Sequence, residues 1–94
     1  MQLDRSLTLP QLQAYVQEMR VARSLVMPVR DVVLHLSEEL GEVARAVRKD
    51  DRENLGEELA DCLFFVLSAA NEAGIDLTDA LLQKEERNRG RFGA

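Results

Sequence analysis

Apolar residues recur along most of this chain every three or four positions, which is the spacing of amphipathic helices. Thr8 followed by Pro10 is typical of a helix start, so we predict a first helix over about 9–24. Pro28 ends that segment and can open the next, which the pattern extends over about 29–49. The first half of the chain therefore predicts two consecutive helices.

The second predicted helix carries two stripes of residues side by side. Its apolar stripe, which we assign to the core, contains Val29, Val32, Val33, Leu36, Leu40, Val43 and Val47. At about 100° per residue, an adjacent stripe contains Asp31, His35, Glu39, Glu42 and Ala46. We expect Glu39 and Glu42 to flank the core, where a partly dry ion site can form, whereas Glu38 points away and is more exposed.

A polar turn over 49–52 leads into a third helix, predicted over about 52–73. Its core stripe contains Leu55, Leu59, Cys62, Leu63, Val66 and Ala70. Its second stripe contains Asn54, Glu58, Asp61, Phe65, Ser68 and Glu72. Because residues 62–67 are apolar on all sides, unlike a surface helix, we expect a second subunit to cover part of this helix.

Gly74 and Asp76 mark the end of this helix and the start of a fourth, predicted over about 77–89. The pattern therefore predicts one all-α domain over 1–94, an antiparallel bundle of about four helices, with 1–7 as a flexible arm. A chain of 94 residues buries only a limited core by itself, and association would stabilise it.

Two acidic pairs lie on the second and third predicted helices: Glu39 and Glu42, then Glu58 and Asp61. One such pair is usually a solvated helix face, but in an antiparallel hairpin these two pairs fall at comparable heights. Facing carboxylates repel unless a cation lies between them, and oxygen ligands suit Mg²⁺ or Mn²⁺. The spacing therefore predicts a divalent metal site. A di-iron site is disfavoured, because it needs two Glu-x-x-His motifs and His35 is the only histidine.

Basic residues gather between Lys84 and Arg91, near the end of the chain. Cations there complement a helix dipole, but beside a metal site they could also neutralise the oxygens of a polyphosphate. Phe65 shares the acidic face of its helix and is either a core or interface residue or a ring that stacks on a base. The combination favours a polyphosphate ligand.

The net charge of −5 becomes −1 once the four proposed ligands are set aside (−5 + 4), which argues against a nucleic-acid polymer as partner. A single nucleotide is still compatible with this net charge.

Cys62 is the only cysteine and lies in an apolar run, so we expect a buried, inert thiol and a reducing compartment. The N-terminus has no signal-type apolar core, and the apolar run 62–67 is far too short to span a membrane. We expect a cytoplasmic protein with no membrane partner.

The spacing Glu39-x-x-Glu42, fifteen residues (43–57), then Glu58-x-x-Asp61 resembles the MazG-like superfamily of all-α nucleoside triphosphate pyrophosphohydrolases. The surrounding sequence is similar too, in segments 37–43, 57–64 and 74–77 and at Lys84, Asn88, Arg91 and Phe92. The resemblance runs from about residue 8 to the C-terminus.

This resemblance implies four helices, assembled as homodimers or homotetramers with the active site completed at a subunit contact. It implies Mg²⁺-dependent hydrolysis of ribo- or deoxyribonucleoside triphosphates to monophosphate and pyrophosphate, with nucleotide-pool house-cleaning as a candidate role. It assigns metal binding to Glu39, Glu42, Glu58 and Asp61, phosphate binding to Lys84, Asn88 and Arg91, and candidate catalytic roles to Glu38 and Glu39. Two alternatives stay open: a non-catalytic oligomerisation or nucleotide-sensing module, and a pure protein-interaction domain.

Overall fold

A computed structural model describes residues 2–93 of the chain, so Met1 and Ala94 lie outside the described residues. Four helices follow one another, with no strand between residues 2 and 93: α1 (Leu9–Ala22), α2 (Val29–Arg48), α3 (Arg52–Glu72) and α4 (Leu77–Phe92). The all-α prediction is confirmed. The helix starts fall where we predicted them, and α4 runs three residues beyond its predicted end.

Polar side chains fix where three of the helices begin. Thr8 and Gln11 form a reciprocal capping box at the start of α1, with Thr8 N donating to Gln11 Oε1 at 2.8 Å. The side chains of Asp51 and Asp76 each accept a hydrogen bond from the backbone N–H three residues on, which caps α3 and α4. Pro28 precedes α2 without a side-chain cap, since its fixed φ alone suits a helix start.

The first three helices end in the same way. In each, the residue after the C-cap is left-handed, at Ser24 (φ 56), Asp50 (φ 52) and Gly74 (φ 69). The next residue donates back to a carbonyl of the last turn, as in Asp51 N to Ala46 O at 3.0 Å. These tight endings allow short connections, so α2 and α3 form an antiparallel hairpin.

Packing is concentrated on the α2–α3 hairpin. These two helices make the most extensive contact, α1 packs on α3, and α4 packs mainly on α1. The buried apolar residues are Val16, Val32, Ala46, Cys62, Leu67 and Ala70. No helix in the described range is both long enough and apolar enough to cross a bilayer.

The predicted core stripe of α2 is partly wrong. Val33, Leu40 and Val47 are 46%, 55% and 60% exposed, whereas Ala46, placed in the acidic stripe, is 1% exposed. The inner line of α2 instead runs at seven-residue spacing through Val32, Glu39 and Ala46. The acidic stripe therefore faces α3, and the apolar residues beside it are displaced to the surface.

The predicted core stripe of α3 is partly wrong as well. Leu59 and Leu63 are 52% and 46% exposed, while Ser68 of the second stripe is buried and donates to Phe64 O at 2.7 Å. The hairpin thus turns polar groups inward and leaves an apolar outer face, made of Val33, Leu40, Val47, Leu59 and Leu63. We refer to these five residues as the outer apolar face.

The left-handed backbone at Ser24 gives a stability prediction. A side chain is disfavoured at φ 56, so Ser24→Gly should raise the free energy of unfolding by about 0.5–1 kcal/mol. The matched change Ala22→Gly, two residues earlier at the helical end of α1, should lower it by about 0.5 kcal/mol. Thermal denaturation of both variants measures the difference, and equal effects would contradict the assigned backbone.

Candidate active site and metal centre

Three carboxylates from two helices meet between α2 and α3. Glu39, Glu58 and Asp61 each offer an oxygen, and these oxygens lie within 4.8 Å of one another. Glu39 and Glu58 are half-buried and Asp61 is exposed, so the group is open to solvent on one side. The antiparallel hairpin places the two acidic pairs at matching heights, which brings three of the four carboxylates together.

Glu42, the fourth predicted ligand, does not join this group in the described chain. Its Oε1 lies 3.9 Å from Arg45 Nη1, one helical turn further along α2. Its charge still contributes to the raised pKa of Glu58, so it lies close enough to act on the group. A cation at the site would compete with Arg45 for the same carboxylate.

The electrostatics of the group fit a hard cation. While its neighbouring carboxylates are ionised, Glu39 Oε2 is buried without a hydrogen-bond partner among the described residues, an arrangement that is costly for a charged oxygen. The pKa of Glu58 is raised to about 6, first because its protonated form can share a hydrogen bond with Glu39, then by burial and neighbouring carboxylates. A divalent ion would supply the positive charge and the partner that the oxygens lack.

Cys62 lies one residue after Asp61 and is buried. Burial raises the pKa of its thiol, and the nearby charges of Glu39, Glu58 and Asp61 raise it further. The predicted buried thiol is confirmed. A thiol of raised pKa stays protonated and is a poor nucleophile.

Glu38 lies outside the group, as the helical wheel predicted. Its side chain is 74% exposed, and its Oε2 is 4.0 Å from His35 Nδ1. His35 in turn stacks on Phe65, with ring centroids 5.7 Å apart and planes 14° from parallel. The predicted catalytic residues therefore differ in position: Glu39 lies within the carboxylate group and Glu38 lies at its solvent side.

Sequence reasoning missed Arg20. This residue of α1 is only 6% exposed, its guanidinium carbon lies 5.6 Å from the centroid of Phe65, and its Nη2 donates to Leu25 O at 2.8 Å. The signal was available, since Arg20 follows buried Val16 by four residues and so lies on the inner face of α1. Phe65, our candidate for base stacking, thus already contacts both a cation and His35.

The predicted phosphate-binding residues lie elsewhere in the chain. Lys84, Asn88 and Arg91 share one face of α4, at spacings of four and three residues. Within residues 2–93, none of them forms a salt bridge or hydrogen bond with the carboxylates, and Arg91 lies over Phe92 at 5.3 Å. The single chain therefore brings the proposed metal ligands together but leaves the basic residues apart from them.

The chain matches the MazG nucleotide pyrophosphohydrolase domain over residues 29–91. The chain belongs to the MazG family. The match begins at the first residue of α2 and includes both acidic pairs and the basic end of α4, while α1 lies outside it. A comparison with curated proteins finds no match. Nucleotide pyrophosphohydrolysis is the activity of the MazG domain, and the carboxylate group lies in the hairpin that this domain covers.

The raised pKa of Glu58 predicts how stability depends on pH in the absence of divalent metal. A carboxyl whose pKa is higher in the folded state, here about 6 against 4.5, stabilises the fold fully below the lower value. That contribution is lost as the pH rises through about 6. With EDTA present, the wild-type Tm should fall from pH 5 to pH 7 relative to Glu58→Gln, and saturating Mg²⁺ should reverse the fall.

Glu57→Gln is the matched control for this experiment, because Glu57 is the exposed neighbour of Glu58. That variant should keep the wild-type pH dependence. A Tm difference between wild type and Glu58→Gln that is flat from pH 5 to pH 7 would show that these carboxylates do not interact.

Proposed function

We propose that this chain is an Mg²⁺-dependent hydrolase that converts ribo- or deoxyribonucleoside triphosphates to the monophosphate and pyrophosphate. The observation that carries the proposal is the group of Glu39, Glu58 and Asp61, which includes a buried carboxylate oxygen with no hydrogen-bond partner between residues 2 and 93. Its position within the MazG domain match supports the same activity. Mn²⁺ has the same ligand preferences and is an alternative ion.

In this proposal the residues of the hairpin hold the ion and handle the proton. Glu39, Glu58 and Asp61 would hold the metal, and Glu42 would complete the set if its carboxylate exchanged Arg45 for the ion. When bound, Mg²⁺ neutralises the triphosphate and lowers the pKa of the attacking water. Glu39 would accept the proton of the attacking water, and exposed Glu38, whose Oε2 lies 4.0 Å from His35 Nδ1, would pass a proton to solvent.

Substrate binding in this proposal uses α4 and Phe65. Lys84, Asn88 and Arg91 would neutralise and orient the phosphate oxygens, which stabilises charge in the transition state. Phe65 would stack on the base once His35 or Arg20 moves aside, because both side chains already contact its ring. Since α4 packs mainly on α1 in the single chain, these residues are more readily supplied to the carboxylates by a second copy.

The outer apolar face supports a homodimer or homotetramer. Its five residues lie on the two long helices that carry the carboxylates, and each is at least 46% exposed. Several exposed apolar side chains on two adjacent helices are typical of a subunit contact. We propose that a second copy packs there and completes the active site.

Activity measurements on the ligand variants test the proposed reaction. Glu39→Gln, Glu58→Gln and Asp61→Asn should each lower kcat/KM by at least about 100-fold, because each removes one charge that holds the ion. Glu57→Gln, at an exposed position of the same helix, should keep wild-type activity. The assay identifies products from a panel of NTPs and dNTPs with Mg²⁺. Release of the γ-phosphate alone, or no product from any substrate, would contradict the proposal.

Solution mass measurements test the proposed assembly. Leu40→Glu introduces a charge into the outer apolar face, where Leu40 is 55% exposed, and should convert the oligomer to monomers with loss of activity. Leu34→Glu is the matched control, because Leu34 is 58% exposed about 120° away around α2. Light scattering after size-exclusion chromatography measures the mass of wild type and of both variants, and only Leu40→Glu should be monomeric. A monomeric wild type, or an unchanged mass for Leu40→Glu, would contradict this interface.

One observation favours a second function, a module that binds nucleotides without hydrolysing them. Within residues 2–93, no salt bridge or hydrogen bond joins Lys84, Asn88 or Arg91 to the carboxylates, so the two parts of the site could serve binding alone. Saturable triphosphate binding without product would establish that function instead.

A further inference from the structure

α4 is the least firmly packed helix of the bundle. None of its residues is buried, and its contacts are mainly with α1. Leu81 and Leu82 are 58% and 64% exposed, so apolar burial contributes little to holding this helix. Another interaction must therefore set its direction in the single chain.

Gln13 of α1 makes hydrogen bonds on both sides of the start of α4. Its Nε2 donates to Ile75 O at 2.7 Å, and its Oε1 accepts from Leu77 N at 3.0 Å. Leu77 is the first residue of α4, so its N–H has no acceptor within the helix. Asn71 of α3 donates from Nδ2 to Gln13 O at 3.0 Å. Three helices are thus joined at one residue.

We propose that Gln13 is a positioning residue that aims the phosphate-binding face of α4, an inference that rests on the proposed function. Lys84 and Arg91 follow Leu77 by seven and fourteen residues, so they lie on its side of the helix, about 10 Å and 21 Å along the axis. A tilt of about 10° at Leu77 displaces Arg91 by about 4 Å, more than the length of a hydrogen bond. Gln13 fixes the helix at its first residue and so limits this tilt.

The amide of Gln13 is suited to this role because it carries a donor and an acceptor in one group. Glutamate would keep the acceptor for Leu77 N but place a charged oxygen against Ile75 O, and alanine would remove both bonds. An open groove of about 280 Å³ lies beside the residue, lined by Pro10, Gln13, Ala14, Asn71 and Asp76. Water can therefore fill the space of a shortened side chain, and the variants are expected to fold.

Hydrogen exchange and steady-state kinetics on the full chain test the proposal. In Gln13→Ala, amide exchange in residues 77–92 should rise about tenfold, since two hydrogen bonds are lost, with a smaller rise in Gln13→Glu. With the triphosphate that wild type hydrolyses fastest, KM should rise about tenfold while kcat changes less than about twofold, because only the population of correctly placed α4 falls. Gln17→Ala, an exposed position on the same helix, should change neither quantity.

Unchanged exchange of α4 in Gln13→Ala would overturn the proposal. Faster exchange with an unchanged KM would also overturn it, because Gln13 would then hold the helix without affecting substrate. A wild-type chain that releases no pyrophosphate would contradict the proposed function instead. Exchange alone would then decide whether Gln13 anchors α4.

Discussion

Repulsion between carboxylates in the α2–α3 hairpin is the constraint on which the rest of the structure depends. Oxygens of Glu39, Glu58 and Asp61 lie within 4.8 Å of one another, and one oxygen of Glu39 is buried with no hydrogen-bond partner in the described part of the chain. Such a group destabilises the metal-free fold, and helix packing on either side must hold it in place. Burial of Val32 and Ala46 at seven residues on either side of Glu39 supplies that packing. The hairpin is therefore stabilised around a group that by itself would push the helices apart.

Turning the acidic stripes inward has a consequence for the outer surface. Each of the two long helices has an apolar stripe beside its acidic stripe. Only one stripe of a helix can face the partner helix, so the other is left on the surface. The outer apolar face is the result, and no other helix between residues 2 and 93 covers its five residues, which all remain at least 46% exposed. On this account the proposed assembly and the proposed metal site have one physical origin. Burial of the outer apolar face by a second copy would stabilise a hairpin whose inner side carries the carboxylates.

Much of the fold could be predicted from the sequence, because its signals are local. Thr8, Asp51 and Asp76 cap the helices whose starts they marked, and Gly74 ends α3 in a left-handed conformation. Which face of α2 contacts α3 could not be predicted in the same way. Periodicity places apolar and acidic stripes side by side, but which one meets α3 is decided by the partner helix, and apolar residues were wrongly assumed to face inward.

The site was predictable as far as spacing alone could decide it. Two acidic pairs at matching heights in a hairpin identified three carboxylates that the structure brings together, while the pairing of Glu42 with Arg45 depends on side-chain conformation. Arg20 was missed because its burial depends on partners distant from its own turn, the ring of Phe65 and the carbonyl of Leu25. Hydrogen bonds between residues 62 and 64 positions apart, such as those of Gln13, leave no signal in the sequence.

Direct titration with Mn²⁺, followed by electron paramagnetic resonance, tests the central claim most closely. The free ion gives a strong signal that diminishes on binding, so the number of bound ions per chain is measured without substrate or turnover. The account predicts saturable binding by the wild type, competition by Mg²⁺, and a large loss of affinity in Glu39→Gln and Glu58→Gln but not in Glu57→Gln. No saturable binding, or equal binding by all four proteins, would contradict a metal centre between α2 and α3.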